Sequence, residues 1–147
     1  RVNGYIEIGK QEGARVVTGG GPAQFDKGWF VTPTLFADAN NQMRIAREEI
    51  FGPVLTAIPY DTEAEAIAIA NDSDYGLCGS VWTSDPEHAA QVGAQVRTGV
   101  VAVNSSMILD FNSPFGGFKQ SGIGRELGPE GLEPFTELQS IILPAAG

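Results

Sequence analysis

The sequence predicts an α/β protein built on a partial doubly wound parallel sheet, and three observations carry that prediction. From Val54 to Asn104 the pattern alternates strand, helix, strand, helix, strand. Both helices in that run open with N-terminal signals, and Val100 to Val103 is an unbroken apolar stretch of the kind found in strands covered on both faces. Right-handed crossovers would turn the run into a three-strand parallel unit, in which ligands sit beyond the carboxyl ends of the strands.

The elements follow in order. Val2, Tyr5, Ile6 and Gly9 recur at helical spacing, and Gly13 is a stop for that helix. Ala14 to Thr18 reads as a strand that ends in the Gly19-Gly20-Gly21-Pro22 turn. A glycine triplet can cradle phosphate, but a phosphate loop opens a helix and none follows here. Trp29 to Phe36 reads as a second strand, with Pro33 marking an edge or a bulge. Val54 to Tyr60 is a strand. Thr62 and Glu65 form a capping box for a helix through Ala70. Leu77 to Thr83 is the next strand. Ser84-Asp85-Pro86-Glu87 starts a helix whose inner face is Ala89, Val92, Gly93 and Val96. A long loop from Asn104 to Gly128 holds Leu109, Phe111, Phe115 and Phe118, which marks it as a pocket lining or as a loop packed on the core. Pro129 to Pro134 reads as a helical turn and Phe135 to Leu143 as a final strand.

Length and charge exclude several functions. The 147 residues suit one domain, 42% hydrophobic and 18% charged. A net charge of -9, with nine scattered Lys and Arg, argues against nucleic acid as a partner. No apolar stretch reaches the roughly 20 residues of a membrane helix, and the one cysteine cannot build a disulfide framework. A reducing, cytoplasmic location is the expectation. Arg1 opens the chain inside a predicted helix, so a fragment of a longer protein is expected as well.

Glu48-Glu49-Ile50-Phe51-Gly52-Pro53-Val54 is the most informative stretch. A carboxylate can accept two hydrogen bonds from a vicinal diol, and a nearby ring can lie flat on a heterocycle. Those groups describe one wall of a nucleotide pocket. From spacing alone, a solvated turn for the two carboxylates and a core position for Phe51 stay open. Cys78 reads as a small buried hydrophobe and His88 as a solvated side chain on a helix. One Cys and one His cannot assemble a usual zinc site, so no metal is expected.

This heptad and Ser113-Pro114-Phe115-Gly116-Gly117-Phe118-Lys119-Gln120-Ser121-Gly122-Ile123-Gly124-Arg125-Glu126 resemble the aldehyde dehydrogenase superfamily. Tyr75-Gly76-Leu77, Val81-Trp82-Thr83, Gly99 to Asn104 and Gly9 to Ala14 are similar to it too, in the expected order. The resemblance implies NAD(P)+-dependent oxidation of an aldehyde to a carboxylic acid through a thiohemiacetal and a thioester. By motif position, Glu49 would bind the nicotinamide ribose and Phe51 would pack beside the nicotinamide. Leu109, Phe111 and Phe115 would line the aldehyde tunnel. Glu126 stands where some members carry a proton-relay carboxylate, with capping of the following helix as its other reading. Arg125 and Glu137 would make structural contacts near a subunit interface.

The resemblance also implies the later part of a catalytic domain over residues 1–134 and a C-terminal oligomerisation strand over 135–147. Phe135 to Leu143 would join a homo-oligomer, dimer or tetramer. The family's nucleophilic cysteine segment and the general base before it do not occur in these residues, so the 147-residue chain alone is predicted inactive. The other reading is a stand-alone inactive remnant that works as an oligomerisation or binding module. A thiol hydrolase built on Cys78 and His88 is the weakest reading of all.

Overall fold

The computed structural model describes residues 1–145, which form two compact units, Arg1–Ser73 and the residues from Asp74 onward. In the first unit, α1 (Val2–Gln11) buries Tyr5, Ile6 and Gly9, with Val2 packed beside them, as the helical spacing requires. The helix stops at Gly13, whose φ of +93° suits a residue without Cβ. The Ala14 N–H donates to the Gly9 carbonyl at 3.0 Å and the Gly13 N–H to that of Lys10 at 3.1 Å, which closes the helix end with a Schellman pair.

Strand β1 (Arg15–Thr18) runs antiparallel to β2 (Thr34–Ala37). Between them, Gly19 lies so close to the backbone that a Cβ there would stand 2.2 Å from the Pro33 carbonyl oxygen. The triplet is therefore a turn, as expected. Strand β2 starts later than the sequence suggests. Pro33 has no N–H for a ladder, and residues before it form a separate bridge between Pro22 and Val31. Thr34 and Phe36 point inward, and Phe36 is completely buried.

After α2 (Arg44–Arg47), β3 (Val54–Thr56) pairs parallel with β2, setting Thr34, Leu35 and Phe36 opposite Val54, Leu55 and Thr56. This corrects the expected three-strand unit, because its first strand takes β2 as its neighbour. The Thr34 N–H already donates to the Pro53 carbonyl at 2.8 Å, which draws the Pro53–Val54 segment onto the edge of β2. Helix α3 (Glu63–Asn71) begins as a modified capping box. Thr62 Oγ1 accepts from the Glu65 N–H at 3.2 Å, while the Glu65 carboxylate accepts from the N–H of Asp61, one residue earlier than in the usual box.

The second unit opens with β4 (Tyr75–Gly76), followed by β5 (Cys78–Val81), α4 (Pro86–Gly93) and β6 (Val100–Val103). β5 and β6 pair parallel from Cys78 opposite Val100 to Val81 opposite Val103, so these three elements form the expected βαβ unit. Asp85 caps α4 by accepting from the N–H groups of Glu87 and His88, and Pro86 occupies the first turn. Ala89 is fully buried, and a Cβ on Gly93 would stand 3.1 Å from Val101, so α4 lies close on the strand below.

A short β7 (Phe118–Lys119) pairs antiparallel with β4, and a 3-10 helix spans Pro129–Phe135. Residues 136–145 carry no regular secondary structure, so the expected final strand is absent among the described residues. Phe135 ends the 3-10 helix, and the segment after it has no neighbouring strand to complete a ladder. The last two residues of the predicted 135–147 segment lie outside the described residues. No helix among the described residues is long and apolar enough to cross a membrane.

Two glycines of α1 make opposite predictions. A Cβ on Gly9 would stand 2.9 Å from Phe36 Cζ and 3.0 Å from Ile45 Cδ1, whereas nothing lies within 4 Å at Gly4. Gly4→Ala should stabilise by about 0.8–1 kcal/mol through helix propensity. Gly9→Ala should gain that term and lose about 1–3 kcal/mol to overpacking, for a net destabilisation. Denaturant melts of the two variants check the opposite signs.

Candidate functional site

The heptad that drew attention in the sequence follows α2 and borders an open cleft of ≈ 420 Å³ in the first unit. Residues alternate there: Ile50 is buried in the core, while Glu49 and Phe51 on either side face outward. Phe51 is 81% exposed, which excludes the core reading, and its φ is +56°. A bulky side chain rarely takes that conformation, and such backbone persists only where its surroundings hold it. Gly52 shows what holds it. A Cβ there would overlap Val2 of α1 at 2.5 Å, so only glycine lets the chain pass. Arg1 adds a hydrogen bond from Nε to the Ile50 carbonyl at 3.2 Å and another from Nη2 to the Glu49 carbonyl.

The two adjacent carboxylates have different surroundings. Glu48 is held by a two-point contact from Arg44, Nε to Oε1 at 2.7 Å and Nη2 to Oε2 at 3.0 Å. The Tyr5 hydroxyl donates to Oε2 at 2.6 Å. These bonds draw the Glu48 carboxyl down to about 2, the Arg44 contact first and Tyr5 second. The same contact raises the Tyr5 hydroxyl above its ordinary value. The Arg44 guanidinium also lies 5.6 Å from the centre of the Tyr5 ring, and its backbone N–H donates to Glu12 Oε2 at 2.9 Å. Glu49 is exposed, and its carboxylate accepts no hydrogen bond among the described residues. One carboxylate is consumed internally and the other is left open.

In the second unit, the loop from Asn104 onward begins with a cross-link at the carboxyl ends of β5 and β6. Asn104 Oδ1 accepts from the Thr83 N–H and Nδ2 donates to the Thr83 carbonyl, both at 2.8 Å. Beyond it the loop lines two cavities. One, ≈ 540 Å³, is bordered by Val101, Met107, Leu109 and Phe115. The other, ≈ 600 Å³, is bordered by Leu77, Phe115, Glu126, Leu127 and Phe135. Phe115 borders both. Phe111 borders neither and is 80% exposed.

Phe115 and Glu126 exchange backbone hydrogen bonds at 2.7 and 2.8 Å, which brings the two arms of the loop together. Arg125 ties the same arms from its side chain. Its Nη1 donates to the carbonyls of Gly117 at 2.9 Å and Gly124 at 2.8 Å, and its guanidinium lies over the Phe118 ring. The 3-10 helix takes Gly128 as its N-cap with no side-chain cap, so Glu126 does not cap it. The glycines in this loop are packing requirements. A Cβ on Gly99 would stand 1.6 Å from the Gly116 carbonyl oxygen, and one on Gly116 would stand 2.1 Å from that of Gly124.

Comparison with known proteins gives this arrangement a family. The aldehyde dehydrogenase family model matches residues 1–141. The chain belongs to the aldehyde dehydrogenase family. It is 54% identical over 142 residues to the geranial dehydrogenase of Castellaniella defragrans, covering 97% of this chain and 29% of that protein. It is 45% identical to the human mitochondrial aldehyde dehydrogenase, covering 96% of this chain and 27% of that one. The crystal structure of a Mycobacterium tuberculosis aldehyde dehydrogenase complexed with NAD+ superposes with a TM-score of 0.92 at 59% identity, covering 98% of this chain and 30% of that chain. The chain thus spans under a third of the length of these relatives.

Three contacts at these sites could not be named from the sequence. The Arg44–Glu48 pair carried a signal in its four-residue spacing, the usual distance for an ion pair along a helix. The Asn104–Thr83 cross-link carried none, since it depends on backbone distant in sequence, and the Arg125 tie carried none because a guanidinium does not name its carbonyl partners even among near neighbours. Cys78 is half-buried in β5 opposite Val100, which fits its reading as a small packed side chain, whereas His88, expected to be solvated, is half-buried on α4 beside the buried Ala89.

A carboxyl whose folded pKa is depressed contributes stability above its ordinary value of 4.5, and that stability is lost as pH falls through about 2. Stability should therefore fall across that window by more in the parent than in Glu48→Gln, which has no charge to lose. Urea melts monitored by fluorescence at several pH values check this.

Proposed function

We propose that this chain works within an NAD(P)+-dependent aldehyde dehydrogenase that oxidises an aldehyde to a carboxylic acid. The observation that carries the reading is the division of labour between Glu48 and Glu49. Internal donors saturate Glu48, whereas Glu49 stands open beside an exposed ring at the rim of a cleft. An open carboxylate suits the two hydroxyls of a ribose, and a flat ring suits a planar heterocycle, so these residues fit a nicotinamide nucleotide. Family membership and the NAD+ bound by the mycobacterial relative support the same reading. The nucleotide, when bound, accepts the hydride. Glu49 holds the ribose by accepting hydrogen bonds from its hydroxyls, and Phe51 shields one face of the ring from water.

On the aldehyde side, Leu109 and Phe115 line a cavity suited to a hydrophobic or aromatic chain, while Phe111 stands exposed in the same loop outside it. Glu126, on the rim of the second cavity, serves as a proton relay. Cys78, packed in a strand, is not the nucleophile, and the reactive thiol comes from outside these residues. A reducing, cytoplasmic location belongs to the same reading, since Cys78, the cysteine of this chain, stands as a free thiol. In the natural gene product, Glu49→Gln should weaken dinucleotide binding by about 1.5–3 kcal/mol, roughly ten- to hundredfold, the worth of hydrogen bonds to a charged group. Cys78→Ser should leave turnover unchanged. Titration of NAD+ and NADP+ by fluorescence, with steady-state assays, measures both. An affinity unaffected by Glu49→Gln overturns the cofactor reading.

A second role rests on the C-terminal segment. Phe135, Leu138, Ile141, Ile142 and Leu143 are all exposed, an apolar run that suits pairing with another copy of the chain. The segment would join a homo-oligomer, in the enzyme or in a catalytically silent binding module. Leu138→Asp combined with Ile142→Asp should lower the mass of the assembly in sedimentation equilibrium, and an unchanged mass rejects this role.

A further inference from the structure

Glu48 borders the same cleft as Glu49, yet its oxygens are taken by Arg44 and Tyr5. Those donors come from two different helices, and each is fixed in turn. Tyr5 is a buried residue of α1, within a turn of the Gly9–Phe36 contact. Arg44 opens α2 with its N–H on the Glu12 carboxylate. Glu48 therefore ties the peptide that leaves α2 to both helices, one residue before the open carboxylate and three before the ring. Between them Ile50 is sunk in the core, so the backbone is held at alternate residues while Glu49 and Phe51 project from it. A residue in left-handed backbone such as Phe51 needs such fixed points on its flanks.

We propose that Glu48 is a positioning residue for the dinucleotide: pinned by Arg44 and Tyr5, it fixes the backbone from which Glu49 and Phe51 reach the cofactor. This rests on the cofactor reading above. Glu48 touches no ligand itself. It sets the direction of the groups that do, and binding then costs less because they are ordered beforehand. The depressed carboxyl of Glu48 is consistent with this role, since the anion that both donors require persists at every working pH.

The test uses the natural gene product and whichever of NAD+ and NADP+ the parent binds more tightly. Glu48→Gln, which breaks the two-point contact, should raise the dinucleotide Kd by roughly three- to tenfold, the scale of ordering one side chain on binding, at temperatures well below the melt. Turnover at saturating cofactor should stay within about twofold, because no reacting group is removed. Tyr5→Phe should raise Kd less, and the double variant should bind no worse than Glu48→Gln alone, because Tyr5 acts through Glu48. A lower melting temperature with an unchanged Kd would show a role in stability only and overturn the proposal. So would additive effects of the two substitutions. If Glu48→Gln does not fold, Tyr5→Phe alone decides, a raised Kd supporting the role and an unchanged Kd overturning it. Glu49→Gln run in parallel separates the two ideas. A weakened Glu49→Gln beside an unaffected Glu48→Gln removes only the positioning role, and an unaffected Glu49→Gln removes both.

Discussion

Phe36 and Ile45 fill the space beneath Gly9, and that contact sets how closely α1 lies on the first sheet. Much else in the first unit follows from it. With α1 at that distance, Tyr5 stands over the exit from α2, where it meets Glu48 and the Arg44 guanidinium. Val2, at the start of the same helix, presses on the chain at Gly52 and admits no side chain there. The loop that carries Glu49 and Phe51 is thus shaped by the packing of a neighbouring helix. Burial supplies the driving force and the glycines supply the clearance.

The second unit uses the same device with backbone in place of side chains. Gly99 and Gly116 let two peptides meet where a methyl group would overlap a carbonyl oxygen. Arg125 then satisfies the Gly117 and Gly124 carbonyls, and its guanidinium lies over the Phe118 ring. The outcome is a loop with one short ladder, β7 on β4, that is also tied at Phe115 and Glu126. Phe115 is held by both its backbone partners and its neighbours, which suits a residue that borders two cavities.

Local signals were legible in the sequence and long-range pairings were not. The inner face of α1, the Asp85-Pro86 start of α4 and the apolar β6 were readable because each depends on neighbours within a few residues. The choice of β2 as the neighbour of β3 was not, since an apolar strand carries no label for its partner. The same holds at the C-terminus, where Phe135 to Leu143 has a strand's composition but no adjacent strand to pair with. At the site, the heptad announced a carboxylate and a ring, and the chain did present both. The resemblance set Glu49 apart from Glu48 by motif position, and the structure adds what holds Glu48: Arg44, close in sequence, and Tyr5, far away in sequence but adjacent in space.

The approach of Gly99 to Gly116 also bears on how this chain can vary over generations. Every single-base missense change in a glycine codon introduces at least a β-carbon. At Gly99 that atom would fall inside the Gly116 oxygen, against backbone that has no rotamer to yield. No one-step substitution is neutral there, and a two-step route passes through an intermediate that clashes. The position is closed to drift although it contributes no side chain to the chemistry, so its invariance would record geometry alone.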